Sequence, residues 1–568
     1  MKPARFHFWQ LAAAVALATL AVACGTGDDE SARTGEMAPA DQQVLRLRLG
    51  AEPRTLDPHQ ANFTTDISVV KQLFSSLFRY DERLNVVPDM AAELPTTENG
   101  GISRDGKTYT VRLRRDLKWS DGAPLTADDV VFGLKRMLDP KVASPYAGNF
   151  GVIAGAREYS TALGTKSAPK APSDAELAAL REAVGVTAKD ERTVVFTLTA
   201  PSASFLNQLA LWASAPVRKD VIERGPSWTE AGSLVGNGPF VLTEWTHGAR
   251  LALEPNPNWH LGRALLSKVT LSIIEDEVAA FAAYQAGEID VAPVPPASRR
   301  EVATSGSPLN ADLKRQVDLG TAALAFNSQD KPFDNHKVRQ AFATAVDRRA
   351  LIEGVLQGVG VAANGWLPPG MPGYEAAAGK QYEFDPAKAR ALLAAAGYPN
   401  GEGLPKVTLF LRTNDTNRLI AQFMQEQFRR NLGVEVNVEL VDAATYQSRF
   451  TRGDFNMSMS GWSADWAYPD NWLPEHFGTN GNFNVYHYSN PRVDELLEKA
   501  RSETDVRKHL DLYAQVHRLV LEDAAIAPLY HRETFIVVKG RVRDLQVTGL
   551  DGYLRGDWNL WKTWIAKG

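Results

Sequence analysis

A chain of 568 residues with one cysteine, Cys24, cannot close an internal disulfide, so its fold must be held together by buried core. Its length exceeds the roughly 250–300 residues at which a single core stops growing, and two or more domains are expected. The apolar material is present: 44% of residues are hydrophobic, with 13 Trp, 15 Tyr and 23 Phe, against 23% charged. That balance describes a globular chain and excludes a disordered or fibrous one. With 62 basic and 67 acidic residues the net charge is -5, which offers nothing for nucleic acid to bind.

Strand-like and helix-like patterns alternate along most of the sequence. Val44–Leu49 opens a strand pattern, and a helix carrying Val69, Val70, Leu73, Phe74 and Leu77 follows. Thr108–Leu113 alternates as a strand, and Thr126 with Asp129 has capping-box spacing ahead of a helix over 130–138. The pair Asp128 and Asp129 fits the first turn of that helix better than a metal site. Glu191–Leu198 reads as a strand; Gly236 to Pro239 reads as a turn before another strand at 240–245. A helix within 279–290 ends at Gly287, and 332–358 carries one long helical pattern. Asp385, Pro386 and Gly397 mark a helix over 386–396. A strand at 407–411, a helix at 417–432 and a strand at 434–440 follow, then helices from Pro491 and over 505–522. This alternation predicts α/β domains with mixed sheets.

The N-terminus reads as an export signal. Lys2 and Arg5 precede an apolar stretch from Leu11 to Val22, then Ala23 and Cys24. A membrane span needs about 20 apolar residues, and this stretch is shorter. It resembles a bacterial lipoprotein signal, in which residues 1–23 are removed and the Cys24 sulfur carries diacylglycerol. Ala21 departs from the Leu that such a signal prefers at the third place before the cysteine. An ordinary secretory signal with Cys24 incidental is the alternative. Residues 24–43 are polar, acidic and poor in large apolar groups, which predicts a flexible tether.

The common catalytic motifs are absent: there is no H-E-x-x-H, no G-x-S-x-G and no G-x-x-x-x-G-K-[ST]. Gly358, Gly360 and Gly365 make only a broken dinucleotide spacing. Asp465 and Asp470 form a carboxylate pair, but a chain with 67 acidic residues offers such pairs by chance. Enzymatic activity, a cofactor and a metal site are therefore not expected. The informative stretch is Phe455–Trp472. Phe455, Met457 and Met459 alternate with polar residues as a strand, Gly461 removes the side chain at its end, and Trp462, Asp465 and Trp466 follow. Two indoles beside a carboxylate would suit an ammonium group. On local features alone the same residues fit better as core anchors, Trp462 and Trp466, and a turn cap, Asp465.

Several ordered stretches resemble the solute-binding components of bacterial ABC-type peptide importers, from about Thr55 to the C-terminus. They are Thr55-Leu56-Asp57-Pro58-His59, Lys118-Trp119-Ser120-Asp121-Gly122, Ser144-Pro145-Tyr146-Ala147, Asn237-Gly238-Pro239-Phe240 and Gly287-Glu288-Ile289-Asp290. Pro332-Phe333-Asp334-Asn335, Ala345-Val346-Asp347-Arg348 and Gly461-Trp462-Ser463-Ala464-Asp465 complete the series.

The resemblance implies a periplasmic-binding-protein-like type II fold: two lobes with mixed sheets joined by a hinge, plus an extra α/β domain. Residues 44–74, 219–319 and 530–568 would form lobe I, 75–218 the extra domain and 320–529 lobe II. An oligopeptide would add between the lobes as a strand, and an inner-membrane ABC permease would receive it. By match to the family, Asp465 would pair with the ligand's α-ammonium. Trp462 and the backbone of Gly461 and Ser463 would line the track, Tyr146 would contact ligand backbone, and Asn62 and Thr64 would offer another stretch of it. The receptor would be a monomer in the periplasm or cell envelope, tethered to a membrane through Cys24. Where the family has cations for a peptide's carboxylate, this chain has Met459, Asn417 and Leu356, and Ala443 stands where a pocket tryptophan is expected. Recognition of the ligand's N-terminus would be kept and that of its C-terminus lost or relocated. The same fold could instead take a nickel chelate, haem or a sugar, or less credibly serve a secreted hydrolase.

Overall fold

Alternation of apolar and polar residues sets the first strand, β1 (Val44–Leu49), whose Leu45, Leu47 and Leu49 are buried while Val44, Arg46 and Arg48 are part-exposed. The protein is a computed structural model that describes residues 35–163, 172–481, 483–503, 505–550 and 557–567. The expected signal over 1–23 and Cys24 lie outside the described residues. Two short strands, β2 (Phe78–Tyr80) and β3 (Val86–Pro88), pair antiparallel. β4 (Thr108–Arg112), β5 (Val186–Asp190) and β6 (Thr193–Thr197) make a three-stranded antiparallel sheet in the order β4-β6-β5, inside the span expected for the extra domain. β7 (Phe240–Thr246), β8 (Arg250–Pro255) and β9 (Lys268–Ile273) join β1 in a four-stranded sheet, β1-β9-β8-β7. This sheet is mixed, with β1 parallel to β9 and the rest antiparallel.

The largest sheet has seven strands: β10 (Val291–Pro293), β11 (Leu313–Phe326), β12 (Val361–Ala362), β13 (Val407–Arg412), β14 (Val436–Val441), β15 (Met457–Ser463) and β16 (Ile526–Val538). Its order is β10-β16-β11-β15-β13-β14, with β12 on β16. β11 is central, and its second half, Leu319 to Phe326, is buried throughout, which is why that run lacks alternation. β11 and β16 pair antiparallel from Leu313↔Val537 to Ala325↔Ile526, with a register break between Val317 and Thr321. The expected boundaries at 319/320 and 529/530 thus fall inside two long paired strands. β17 (Val542–Arg543) and β18 (Trp564–Ile565) close the chain. Among the described residues no helix is long and apolar enough to cross a membrane.

The motif residues at 57–59, 237–238, 290 and 348 are largely framework. Arg136 donates to both oxygens of Asp57, at 3.0 and 2.6 Å, and to His59 Nδ1 at 2.7 Å. Burial holds His59 neutral, pushed down to about 4, so its Nε2–H donates to Ala215 O at 3.0 Å. Asn237 bonds the Ser75 N–H and C=O, both at 3.0 Å, and a Cβ on Gly238 would lie 2.6 Å from the Leu73 carbonyl carbon. Only glycine allows that approach. Asp290, fully buried, pairs with Arg46 and Arg541 at 3.0 and 2.7 Å. Arg348, also buried, donates to the carbonyls of Ala343, Val346, Ala363, Tyr382 and Pro528.

Three expectations need correction. Within the expected tether, residues 36–43 are docked: Ala38 N donates to Ile565 O at 2.9 Å, and buried Gln43 bonds Ala38 O and Ile565. Ala38 and Gln43 sit against β18, so the polar composition of 24–43 hid a packed end. The long helical pattern over 332–358 is broken after the helix His336–Thr344. Asp347 caps the next turn by accepting from Ala350 N at 2.9 Å, and the break frees Ala343 O and Val346 O for Arg348. Finally, Gly461 does not end its strand; β15 continues to Ser463 because Gly461 pairs with Ala322 and a Cβ there would lie 2.7 Å from Thr321 O.

Candidate ligand-binding site

β15 pairs with β11 along its length, from Gly320↔Ser463 to Phe326↔Met457, but with β13 only at Met457 and Ser458. Beyond Ser458 its second edge meets no strand among the described residues. Ala464 N donates to Leu319 O at 2.8 Å. Strand alternation therefore turns the backbone of Ser460 and Trp462 toward β11, and that of Met459, Gly461 and Ser463 toward the open edge. The Met459 carbonyl accepts from the Tyr446 hydroxyl at 2.7 Å. Gly461 and Ser463 are left as an edge to which an extended chain can add.

Asp465 lies at the end of this edge. Its N–H donates to Asn471 Oδ1 at 2.8 Å, and Asn471 Nδ2 donates back to Asp465 Oδ2 at 3.2 Å. The Tyr146 hydroxyl donates to Oδ1 at 3.2 Å. Burial pushes the Asp465 carboxyl above the usual carboxylate range, and these two donors only partly offset it. Asp465 makes no ion pair among the described residues. The site is a desolvated carboxylate that lacks a cation, and an ammonium group would complete it.

Trp462 forms one wall. Its Nε1 donates to Asn471 Oδ1 at 3.2 Å, and its ring packs edge-on against His476 at 4.7 Å and at a tilt against Phe483 at 4.8 Å. His476 is buried and neutral, pushed down to about 3. Trp466 does not form the second wall: it is buried in the core, and its Nε1 donates to Asp470 Oδ1 at 2.7 Å. Asp470 is pushed up to about 6 by burial, with the Ser204 hydroxyl and Trp466 opposing the shift.

Tyr146 and Asp465 are brought together, with Trp462, Gly461 and Ser463 on the same strand. Asn62 and Thr64 are not in direct contact with that group. They are exposed at the entry to the helix Thr64–Leu73, and the link to Asp465 is indirect: Tyr146 packs edge-on against Trp212 at 4.9 Å, and Trp212 Nε1 donates to Ala61 O at 3.0 Å. Met459 and Leu356 are buried, at 9% and 8% exposure, and Asn417 donates to Arg412 O. The Ala443 side chain lies outside the described residues.

Sequence reasoning missed Asn471 and Arg532. Asn471 bridges Trp462 and Asp465, for which the turn-prone Pro469-Asp470-Asn471 was the available signal. Arg532 on β16 is exposed, and its Nη1 donates to Ser463 Oγ at 3.0 Å. No sequence signal joins it to residue 463.

Residues 85–484 match the family described as "Bacterial extracellular solute-binding proteins, family 5 Middle". The chain is 32% identical over 505 residues to the periplasmic murein peptide-binding protein of Escherichia coli K12, covering 86% of this chain and 88% of that one. It is 32% identical over 460 residues to heme-binding protein A of Haemophilus influenzae, covering 78% and 80%. The solved structure of the Escherichia coli murein tripeptide-binding protein superposes with a TM-score of 0.74 at 28% identity, covering 94% of this chain and 100% of that one. The family match over residues 85–484, the 32% identity and the structural likeness agree, and the chain belongs to family 5 of the bacterial extracellular solute-binding proteins.

Proposed function

We propose that this protein captures oligopeptides outside the cytoplasm and hands them to an ABC permease, without catalysis of its own. One observation carries the reading: Asp465, part-buried and without an ion pair among the described residues, stands at the end of an open strand edge. A peptide added to that edge bonds through its main chain, which requires no particular sequence, and its α-ammonium meets Asp465. Tyr146 and the backbone at Asn62 and Thr64 would face it from the other side. The likeness to a murein peptide-binding protein supports a peptide ligand.

The lobes would be residues 44–74, 219–319 and 530–568, and residues 320–529, with 75–218 as the extra domain. The paired β11 and β16 would act as the hinge at their register break, and closure would couple ligand capture to permease docking. The receptor would act as a monomer, tethered through lipid on Cys24.

A haem ligand is the second reading, favoured by the haem-binding relative. Mass spectrometry of ligand released from the purified protein decides between them. Peptides with free amino ends are expected; a porphyrin or a glycan would overturn the peptide reading, and hydrolysed fragments of an added peptide would overturn the absence of catalysis.

A further inference from the structure

The three positions expected to supply a carboxylate-binding cation hold Met459, Asn417 and Leu356, yet the face of β15 that carries Met459 is not without a positive charge. Along a strand, Met459, Gly461 and Ser463 share one face. Arg532 starts two strands away on β16 and crosses β11 over Gly320, which has no side chain to block it. A Cβ on Gly320 would lie 3.2 Å from Arg532 Cδ and 3.1 Å from Ser463 Oγ. The guanidinium ends over β15, with Nη1 donating to Ser463 Oγ at 3.0 Å. Its Nη2 lies 3.0 Å from where a Gly461 Cβ would be. It therefore occupies the place of the side chain that residue 461 lacks. Arg532 is exposed and makes no ion pair among the described residues, whereas Arg315, also on this ribbon, is paired with Glu533 at 2.6 Å.

Resting on the peptide-receptor reading above, we infer that Arg532 is the ligand-carboxylate subsite of this receptor. To a strand added at the open edge, the guanidinium is presented as residue 461's own side chain would be, beside the ligand residue opposite Gly461. Cross-strand neighbours on one face lie about 4.5–5.5 Å apart, within reach of a carboxylate. With the ammonium on Asp465, two residues beyond the end of β15, the first ligand residue lies about opposite Ser463 and the residue concerned is about the third. The carboxylate is either the C-terminus of a short peptide or an acidic side chain at that position. The cation expected on this face at Met459 is thus supplied from β16, across β11, through the gaps left by Gly320 and Gly461.

Calorimetric titrations of the full chain and of Arg532→Gln with Ala-Ala, Ala-Ala-Ala, their C-terminal amides, Ala-Glu-Ala-amide and Ala-Ala-Glu-amide test this. The parent protein is expected to prefer at least one free acid, or one glutamyl amide, over the neutral amide by about tenfold or more. Preference for the free acids identifies the C-terminus; preference for the glutamyl amides identifies a side chain. Arg532→Gln should abolish that preference, acid and neutral amide then binding alike, and Arg532→Lys should restore part of it. Peptide binding with the preference intact in Arg532→Gln, or with no preference in the parent, overturns the subsite alone. Failure of every peptide to bind either protein overturns the receptor reading, and the subsite with it.

Discussion

The hydroxyl of Tyr146 donates to Asp465 Oδ1 at 3.2 Å across 319 residues of sequence, joining the region of the three-stranded sheet to the end of β15. This bond, with that from Asn471, opposes the burial that raises the Asp465 carboxyl. A bound ammonium would lower it further, so the complex holds fewer protons than the free protein. Affinity for a free-amino peptide should then fall as pH drops through the raised Asp465 pKa and be flat above it until the peptide's own α-amino group deprotonates, at about pH 8. Tyr146→Phe should move that fall to higher pH, by about one pH unit at most for a hydrogen bond worth about 0.5–1.5 kcal/mol. Titration calorimetry between acid and neutral pH reads the midpoint; an unmoved midpoint would separate Tyr146 from the receptor carboxylate.

Asp465→Ala should weaken a free-amino peptide by about 2–5 kcal/mol, since an ammonium would be buried without its partner. N-acetylation of the peptide should cost a similar amount in the parent protein and little more in the variant. Equal affinities of acetylated and free peptides for the parent would remove ammonium capture from the mechanism.

Asp470 has the opposite bearing, on stability instead of affinity. Its carboxyl is pushed up to about 6, so between that pH and the unfolded value near 3.9 the native state binds the extra proton. Stability from this group therefore rises as pH falls from above 6 toward 4, and above 6 the buried charge costs stability. Asp470→Asn should remove that dependence and raise stability at pH 8 by up to about 3 kcal/mol. Urea melts at pH 5 and pH 8 check both signs; a variant less stable than the parent at pH 8 would refute it.

The Asp57–Arg136–His59 cluster fastens the loop near residue 57 to the helix Ala127–Met137. Burial is the largest single influence and raises Asp57, but Arg136 and His59 together outweigh it and the carboxyl is held below its usual range. Its contribution is present above the unfolded pKa and is lost as pH falls through the folded one. Asp57→Ala, which strands the Arg136 guanidinium, should cost about 3–5 kcal/mol in chemical denaturation at neutral pH. A cost below about 1 kcal/mol would mean that the cluster is no more than a surface pair.

What was legible in the sequence was local. The Thr126–Asp129 capping box and the helix opened by Asp385 and Pro386 are both present, because each is decided within four residues. The motif series pointed to the family, yet residues such as Asp57 and Asp290 owe their place to partners 79 and 251 positions away, which no local pattern reveals. Trp466 misled for the same reason: its neighbour in sequence is Asp465, but its indole bonds Asp470 and points into the core. Arg532 was invisible because sheet order, not spacing, puts it over Gly461.

The open edge of β15 has a consequence for the receptor's own solubility. An unpaired strand edge is a template for another copy of the same strand, and empty receptors that collide would offer it to one another. Here the exposed length is confined to the outward-facing Gly461 and Ser463, closed at one end by the Tyr446 hydroxyl and at the other by the turn at Asp465. Two residues suffice to hold a short guest but are too few to stitch two receptors together.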